Sequence, residues 1–333
     1  MTIPVGQNLR VRLPTAGAQE NGREPGPLKI EFNGGTAARH LDGDRAGMTL
    51  PLSWLAGEHS ETIWECVSPL GESHGFRLFS SPEVLIGCAL EPVAGPVEST
   101  ALGLYRRLLA VAQEMHLYRV WHYLPEINRI RDGVENYRAF NAGRSRAFEE
   151  ALGGGFSRSL SAASTVGCDG GDIALVFIAG NGKPRHCENP EQIPAYRYPP
   201  EHGVRSPSFA RATVVGIGGR KLIHISGTSA IKGHATIAAG STIEQLECTL
   251  DNLRLISRES GAGEDLGAAL GMERRFKVYL RNAADLHAVK RRIEQSFFRP
   301  HDRVAWLQAD LCRAELNIEI EATLSGRAPQ PVR

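Results

Sequence analysis

Toward the C-terminal end of the chain, two carboxylates share one side of a period-2 pattern. In LQADLCRAELNIEIEA (residues 307–322), Leu316, Ile318 and Ile320 alternate with Asn317, Glu319 and Glu321. Such alternation marks a strand with one apolar and one polar face. The stretch reads as one long strand with a local break. Strands disfavour Glu, so two on one face need a cause. One cause is a solvated face. The other is a general acid on a rigid element, with Cys312 just upstream lining the same site. A carboxyl on a packed sheet loses hydration, its pKa rises, and it can hold a proton near neutral pH and deliver it. Candidate partners lie in a connector over residues 180–209, where Tyr196, Arg197, Tyr198 and Arg205 stand among closely spaced prolines. Arginine forks seat carboxylates bidentately. One acid, several Arg and Tyr, and no metal-ligand spacing point to acid–base chemistry on a small carboxylated metabolite.

The totals narrow the classes. With 333 residues the chain can bury one large core or two ordinary ones. A formal net charge of +1 provides no global field for nucleic acid or an anionic membrane, so an anionic ligand must be held by local arginines. No apolar run approaches a membrane span. MTIPVGQNLRVRLP lacks the apolar core of a signal peptide, and a cytoplasmic location is expected. Six scattered cysteines without C-x-x-C indicate neither a disulfide framework nor zinc, and read mostly as small buried hydrophobes. The histidines form no recognisable set; His224, within a strand, and His234, in a Gly-flanked loop, are expected to be structural. GIGGR at residues 216–220 lacks dinucleotide-loop spacing and reads as a turn.

The elements that would position these residues occur twice. The first eighty residues read as irregular, with NGREPGP a loop and LKIEFN and ETIWECV short strands. Then come a strand at 83–90, a helix at 98–115 capped by Ser99 or Thr100, a strand ended by Pro125, a helix at 135–152 and an apolar strand at 172–179. After the connector the order returns. It runs KLIHIS, a helix opened by the capping box of Ser241 and Glu244, RFKVYLRN, a helix at 285–298 and the carboxylate stretch. The expected fold is α/β (α+β), two tandem modules that are each a mixed sheet with helices on one face. Their bounds are 81–180 for a degenerate copy, 181–215 for a substrate-binding connector and 216–333 for a catalytic copy. If Asp172 aligns with Glu315, the degenerate copy has Val176 and Ile178 where the other has Glu319 and Glu321. This asymmetry favours function in the C-terminal copy.

Two resemblances follow from particular stretches. HISGTSAIKGH, the capped helix and LNIEIEA resemble the YjgF/RidA fold. From about residue 83 onward, YRVWHYLPEIN, FNAGRSRAFE, CENPEQIPAYRYPPEHGVRSPSFARA, ISGTSAIKGHAT and CRAELNIEIEA resemble the chorismatases. That resemblance implies cleavage of the enolpyruvyl ether of chorismate, with pyruvate released and no metal or organic cofactor. It implies an acid on the final strand, matched by Glu319. Arg144 and Arg205 are the first choices for seating the substrate carboxylates, with Tyr198 beside them and Arg197 and Arg211 in reserve. Gly227 and Thr228 in the SGT stretch complete the expected pocket. Gly227 and Cys312 match the branch that makes 3-hydroxybenzoate, with 4-hydroxybenzoate as a possible second product. The alternatives are a hydrolase giving a dihydroxycyclohexadiene carboxylate and a RidA-like binding protein without turnover. A monomer is expected, with no nucleic-acid or membrane partner.

Overall fold

In a computed structural model, the structure describes Leu13 and residues 25–41 and 46–327. The signal-peptide reading and the first part of the NGREPGP loop lie outside the described residues. Six strands come first: β1 (Gly26–Asn33), β2 (Ala38–His40), β3 (Ala46–Pro51), β4 (Ser53–Gly57), β5 (Ser60–Ser73) and β6 (Phe76–Ser80). The first copy then contains β7 (Leu85–Pro92), α1 (Val97–Val111), β8 (His116–Pro125), a small hairpin β9–β10 (Ile130–Arg131 and Val134–Glu135), α2 (Asn136–Leu152), β11 (Ala162–Cys168) and β12 (Asp172–Gly180). The connector carries β13 (Arg185–Cys187). The second copy contains β14 (Ala212–Ile217), β15 (Arg220–Thr228), a hairpin β16–β17 (Ile231–Lys232 and Ala235–Thr236), α3 (Thr242–Glu259), β18 (Glu273–Leu280), α4 (Leu286–Ser296), β19 (Arg303–Gln308) and β20 (Ile318–Arg327).

The two sheets repeat one topology. The first runs β11-β8-β12-β7-β6 and the second β19-β18-β20-β15-β14. In each, the outer pair is parallel (β11 with β8, β19 with β18) and the central strand runs antiparallel to both neighbours. The parallel pairing follows from the intervening helix, which supplies the crossover. α1 and α2 cover the outer face of the first sheet through Leu104, Leu108, Phe140 and Phe148; α3 and α4 cover the second through Leu246, Leu250, Leu253 and Ile293. The inner faces meet in a shared core that includes Trp121, Val176, Ile178, Tyr279 and Leu316. Helices therefore flank the sheets on one face each, in a mixed α+β fold. Val176 and Ile178 occupy the inner face in β12, as Glu319 and Glu321 do in β20.

Three sequence expectations change. Residues 26–80 are not irregular: β6, β5, β1, β3 and β2 extend the first sheet to nine strands, and β4 crosses to pair with β19 at the edge of the second. The carboxylate stretch is two strands, since β19 ends at Gln308 and β20 begins at Ile318. The break between them is a nine-residue loop that carries Cys312. α1 begins at Val97 behind Pro96 without a side-chain cap, so Ser99 and Thr100 lie inside its first turn. The other boundaries hold to within a few residues. Ser241 caps α3 by accepting the Glu244 N–H at 3.3 Å, and Gly218 and Gly219, at φ 55° and 72°, make the β14–β15 turn.

Candidate active site

β20 lies between β15 and β18, so both edges of its carboxylate segment are paired. Glu319 and Glu321 are each 3% exposed, which rules out the solvated-face reading. Their surroundings drive them in opposite directions. Glu321 accepts from Arg119 Nη2 at 2.7 Å and from Trp121 Nε1 at 2.8 Å, and pairs with Lys277 Nζ at 2.7 Å. Lys277 also pairs with Glu61 at 2.6 Å, which ties the N-terminal strands into the cluster. Burial works against ionising Glu321, but Lys277 and Arg119 outweigh it and hold its carboxyl below the usual carboxylate range. Glu319 has no cation paired with it among the described residues. Ser229 Oγ donates to Glu319 Oε2 over a long 3.4 Å. Burial first, and the Glu321 charge second, push the Glu319 carboxyl up to about 8. One carboxylate is thus ionised and structural; its neighbour holds a proton. Two acids driven apart in this way mark an acid–base assignment.

Gly227, at the end of β15, stands directly against the acid. A Cβ there would lie 2.0 Å from Glu319 Oε1 and 2.6 Å from its Cδ, so only glycine leaves the carboxyl in place. The Gly227 N–H donates to Ser164 Oγ at 2.8 Å, and Arg119 Nη2 donates to the same oxygen at 2.5 Å. The first copy's β11 therefore fixes the backbone against which the second copy's acid rests.

Glu319 and Gly227 open onto a cleft of about 800 Å³. Its walls come from the β9–β10 hairpin, the start of α2, the connector and the loop before β20, which contribute Tyr137, Tyr198, Arg211, Cys312 and Arg313 among others. Arg211 is 6% exposed and donates to Tyr198 Oη at 2.7 Å and to the Ile193 carbonyl at 3.3 Å; its guanidinium is in no salt bridge among the described residues, although the nearby Glu188 carboxyl accepts from its backbone N–H and feels its charge. Arg313 donates to Thr236 Oγ1 at 3.1 Å and lies 5.5 Å from the Tyr198 ring centre. Both cations are therefore available to an anionic ligand. Cys312 is half-buried, and desolvation with the Glu319 charge pushes its thiol up to about 12. It shapes the wall as a neutral thiol and is no nucleophile at neutral pH.

Of the sequence candidates, Glu319, Cys312, Tyr198, Arg211 and Gly227 come together. Arg144, Arg205 and Thr228 do not line the cleft. Arg144 is buried over the Tyr105 ring at 5.2 Å, in the layer between the helices and the first sheet. Arg205 turns outward to pair with Glu149 of α2 at 2.7 Å. The Thr228 hydroxyl donates to the Ser226 carbonyl at 2.8 Å. Arg197 is exposed and contacts Tyr196 instead. Reading missed Tyr137, Arg313 and Ser229. Arg313 could have been found, since it adjoins Cys312 in the same loop. The histidine expectation also changes. His202 and His234, 3.0 Å apart, meet Glu201 at the cleft rim. Of the cysteines only Cys88 and Cys187 are fully buried. Among the described residues, no helix is long and apolar enough to cross a membrane.

Comparison with known proteins adds the following. A family model for the N-terminal part of FkbO/Hyg5-like chorismatases matches residues 63–179. A 3-hydroxybenzoate synthase of Streptomyces hygroscopicus is 33% identical over 278 residues, covering 79% of this chain and 80% of its own. A chorismatase of the same organism is 34% identical over 275 residues, covering 79% and 78%. A crystal structure of a chorismatase superposes with a TM-score of 0.78 at 28% identity, over 94% of this chain and 97% of that one.

Proposed function

The chain belongs to the chorismatase family, and from that premise we propose that it cleaves the enolpyruvyl ether of chorismate to 3-hydroxybenzoate and pyruvate, with Glu319 as the general acid. The observation that carries this reading is the buried, protonated Glu319 facing a cleft whose walls hold Arg211 and Arg313. Chorismate presents two carboxylates and one acid-labile enol ether. Arg211 and Arg313 seat the carboxylates, and Tyr198, held by Arg211, orients the bound ring. Glu319 delivers its proton to the enolpyruvyl methylene carbon, which becomes a methyl group. Positive charge develops at the ether-bearing carbon, and the new Glu319 carboxylate stabilises it. The ring's own hydroxyl oxygen then bonds to the ring carbon that carried the ether as the ether oxygen leaves, and its bond to its original ring carbon opens, so that the oxygen ends on the neighbouring carbon. The ring carbon–oxygen bond breaks, and its electron pair completes the pyruvate carbonyl. The ring loses one proton, which returns to Glu319, and becomes aromatic. Chorismate thereby yields 3-hydroxybenzoate and pyruvate with no net water consumed. Gly227 and Cys312 support this branch: glycine leaves the acid undisplaced, and the small neutral thiol leaves the ring room without offering a competing nucleophile.

The test runs turnover in D2O, with pyruvate reduced at once to lactate for mass analysis and the ring products separated by chromatography. One deuterium in the pyruvate methyl, with 3-hydroxybenzoate as the aromatic product, is the expected result. A non-aromatic diol would place the chain in the hydrolytic branch. Chorismate binding without pyruvate would refute turnover.

A further inference from the structure

The cleft rim holds three metal-ligating atoms in a tight triangle. His202, at the end of a short connector turn, and His234, in the β16–β17 turn, face each other with Nε2 and Nδ1 3.0 Å apart. Glu201 Oε1 is 3.5 Å from His202 Nε2 and 3.3 Å from His234 Nδ1. Around Zn²⁺, bonds of about 2.0–2.1 Å in a tetrahedron separate neighbouring ligand atoms by about 3.3 Å. All three edges are close to that length. We propose that Glu201, His202 and His234 bind one divalent transition-metal ion at the mouth of the cleft, leaving one coordination position open.

The donor set selects the ion. Two imidazoles and one carboxylate suit Zn²⁺, Co²⁺, Ni²⁺ or Cu²⁺ and disfavour Mg²⁺ and Ca²⁺, which take oxygen ligands. The triangle is built by its surroundings. The Tyr198 ring packs against both imidazoles, with centroids 5.1 and 6.5 Å away, so the two rings approach from fixed directions. Arg313 and Arg138 lie close enough to be felt by His202 and oppose a cation there. Glu201 supplies the compensating charge. It is the exposed member of the three, so it can swing onto an arriving ion without unpacking anything. Glu201 and His202 both line the cleft, so an ion on them sits beside the path to Glu319. This site stands or falls independently of the substrate.

Cobalt is the probe, because tetrahedral Co²⁺ absorbs visible light far more strongly than the octahedral aqueous ion. Tag-free protein titrated with CoCl2 at pH 7.5 should develop saturable tetrahedral bands at one ion per chain, displaced by Zn²⁺. The bands should vanish in His202→Asn and in His234→Asn. Because Glu201 is exposed, Glu201→Gln carries little folding risk and should weaken binding at least about tenfold, the scale on which ligand-sphere changes act. Absence of the bands in the parent protein would overturn the proposal. So would bands that survive all three substitutions, since the ion would then be held elsewhere.

Discussion

Raising the pH tests the acid directly. An ordinary glutamic acid is protonated in about 0.3% of molecules at pH 7, whereas one with a pKa near 8 is protonated in about nine of ten. Burial beside Glu321 therefore raises the population of competent acid by a factor of about 300. The activity limb follows. kcat/KM should be flat up to pH 7, bend near 8 and fall about tenfold per further unit, as the proton leaves Glu319. Stability carries the same signature. Glu319 has a folded pKa above its unfolded value of about 4.5. Between the two the native state holds a proton that the unfolded chain has released. Stability therefore falls as pH rises from about 4.5 to about 8 and levels off above. The full swing is about 5 kcal/mol at most. Glu319→Gln removes both effects. Its turnover should drop at least about 10³-fold, the scale of a lost general acid. Its thermal midpoint should gain on the parent between pH 5 and pH 8. The assays are pyruvate release from chorismate across pH and thermal unfolding of both proteins at the two pH values. An active Gln variant would refute the reasoning. So would a parent profile with no alkaline limb below pH 9.5.

Four other perturbations separate the parts of the site. Gly227→Ala places a methyl where the Glu319 carboxyl stands, and the carboxyl must move by about 1 Å into the open cleft; kcat should fall or the ring-product ratio change, with unfolding free energy altered by less than about 2 kcal/mol, measured by chromatography and urea denaturation. Lys277→Met leaves Glu61 without its buried cation and Glu321 with Arg119 alone, and should cost about 3–5 kcal/mol in urea unfolding. Arg211→Met should raise KM for chorismate at least about tenfold, the price of one charge-assisted contact. Arg205→Ala, which breaks only an exposed pair, should leave KM unchanged and stability within about 1 kcal/mol.

How far the chain could be read varied with the range of the forces involved. The duplicated order of strands and helices was legible, because apolar periodicity and caps are local. So was the polar face of residues 317–321, and the contrast between Glu319 and Val176 singled out Glu319 as the candidate acid. What raises the Glu319 pKa was not legible. Its neighbour's charge is held by Arg119, 202 residues away in sequence, and by Lys277 on β18. Nothing local distinguishes those two residues from surface cations. The same limit bears on Arg144 and Arg205. Each stands in a stretch that reaches the cleft, yet Arg144 is buried over the Tyr105 ring, where it is also felt by Tyr137 of the cleft wall, and Arg205 pairs outward with Glu149. Of the N-terminal strands, β1 and β5 were legible as LKIEFN and ETIWECV, whereas β2, β3, β4 and β6 run for only three to six residues, too short to carry a pattern of their own. Arg313 was overlooked because residues 309–317 were read as strand, and a loop projects its side chains by other rules.

The placement of β20 bears on how the protein is made. β15 and β18 leave the ribosome before β20, yet they do not pair with each other; β20 enters between them. A chain that stops short of residue 318 therefore has a second sheet with an open gap at its centre. It also lacks Glu319, and lacks Glu321 to neutralise Arg119 and Lys277 in the inner core. A chain ending there lacks both the candidate acid and the strand that closes the second sheet, and it leaves the facing edges of β15 and β18 unpaired.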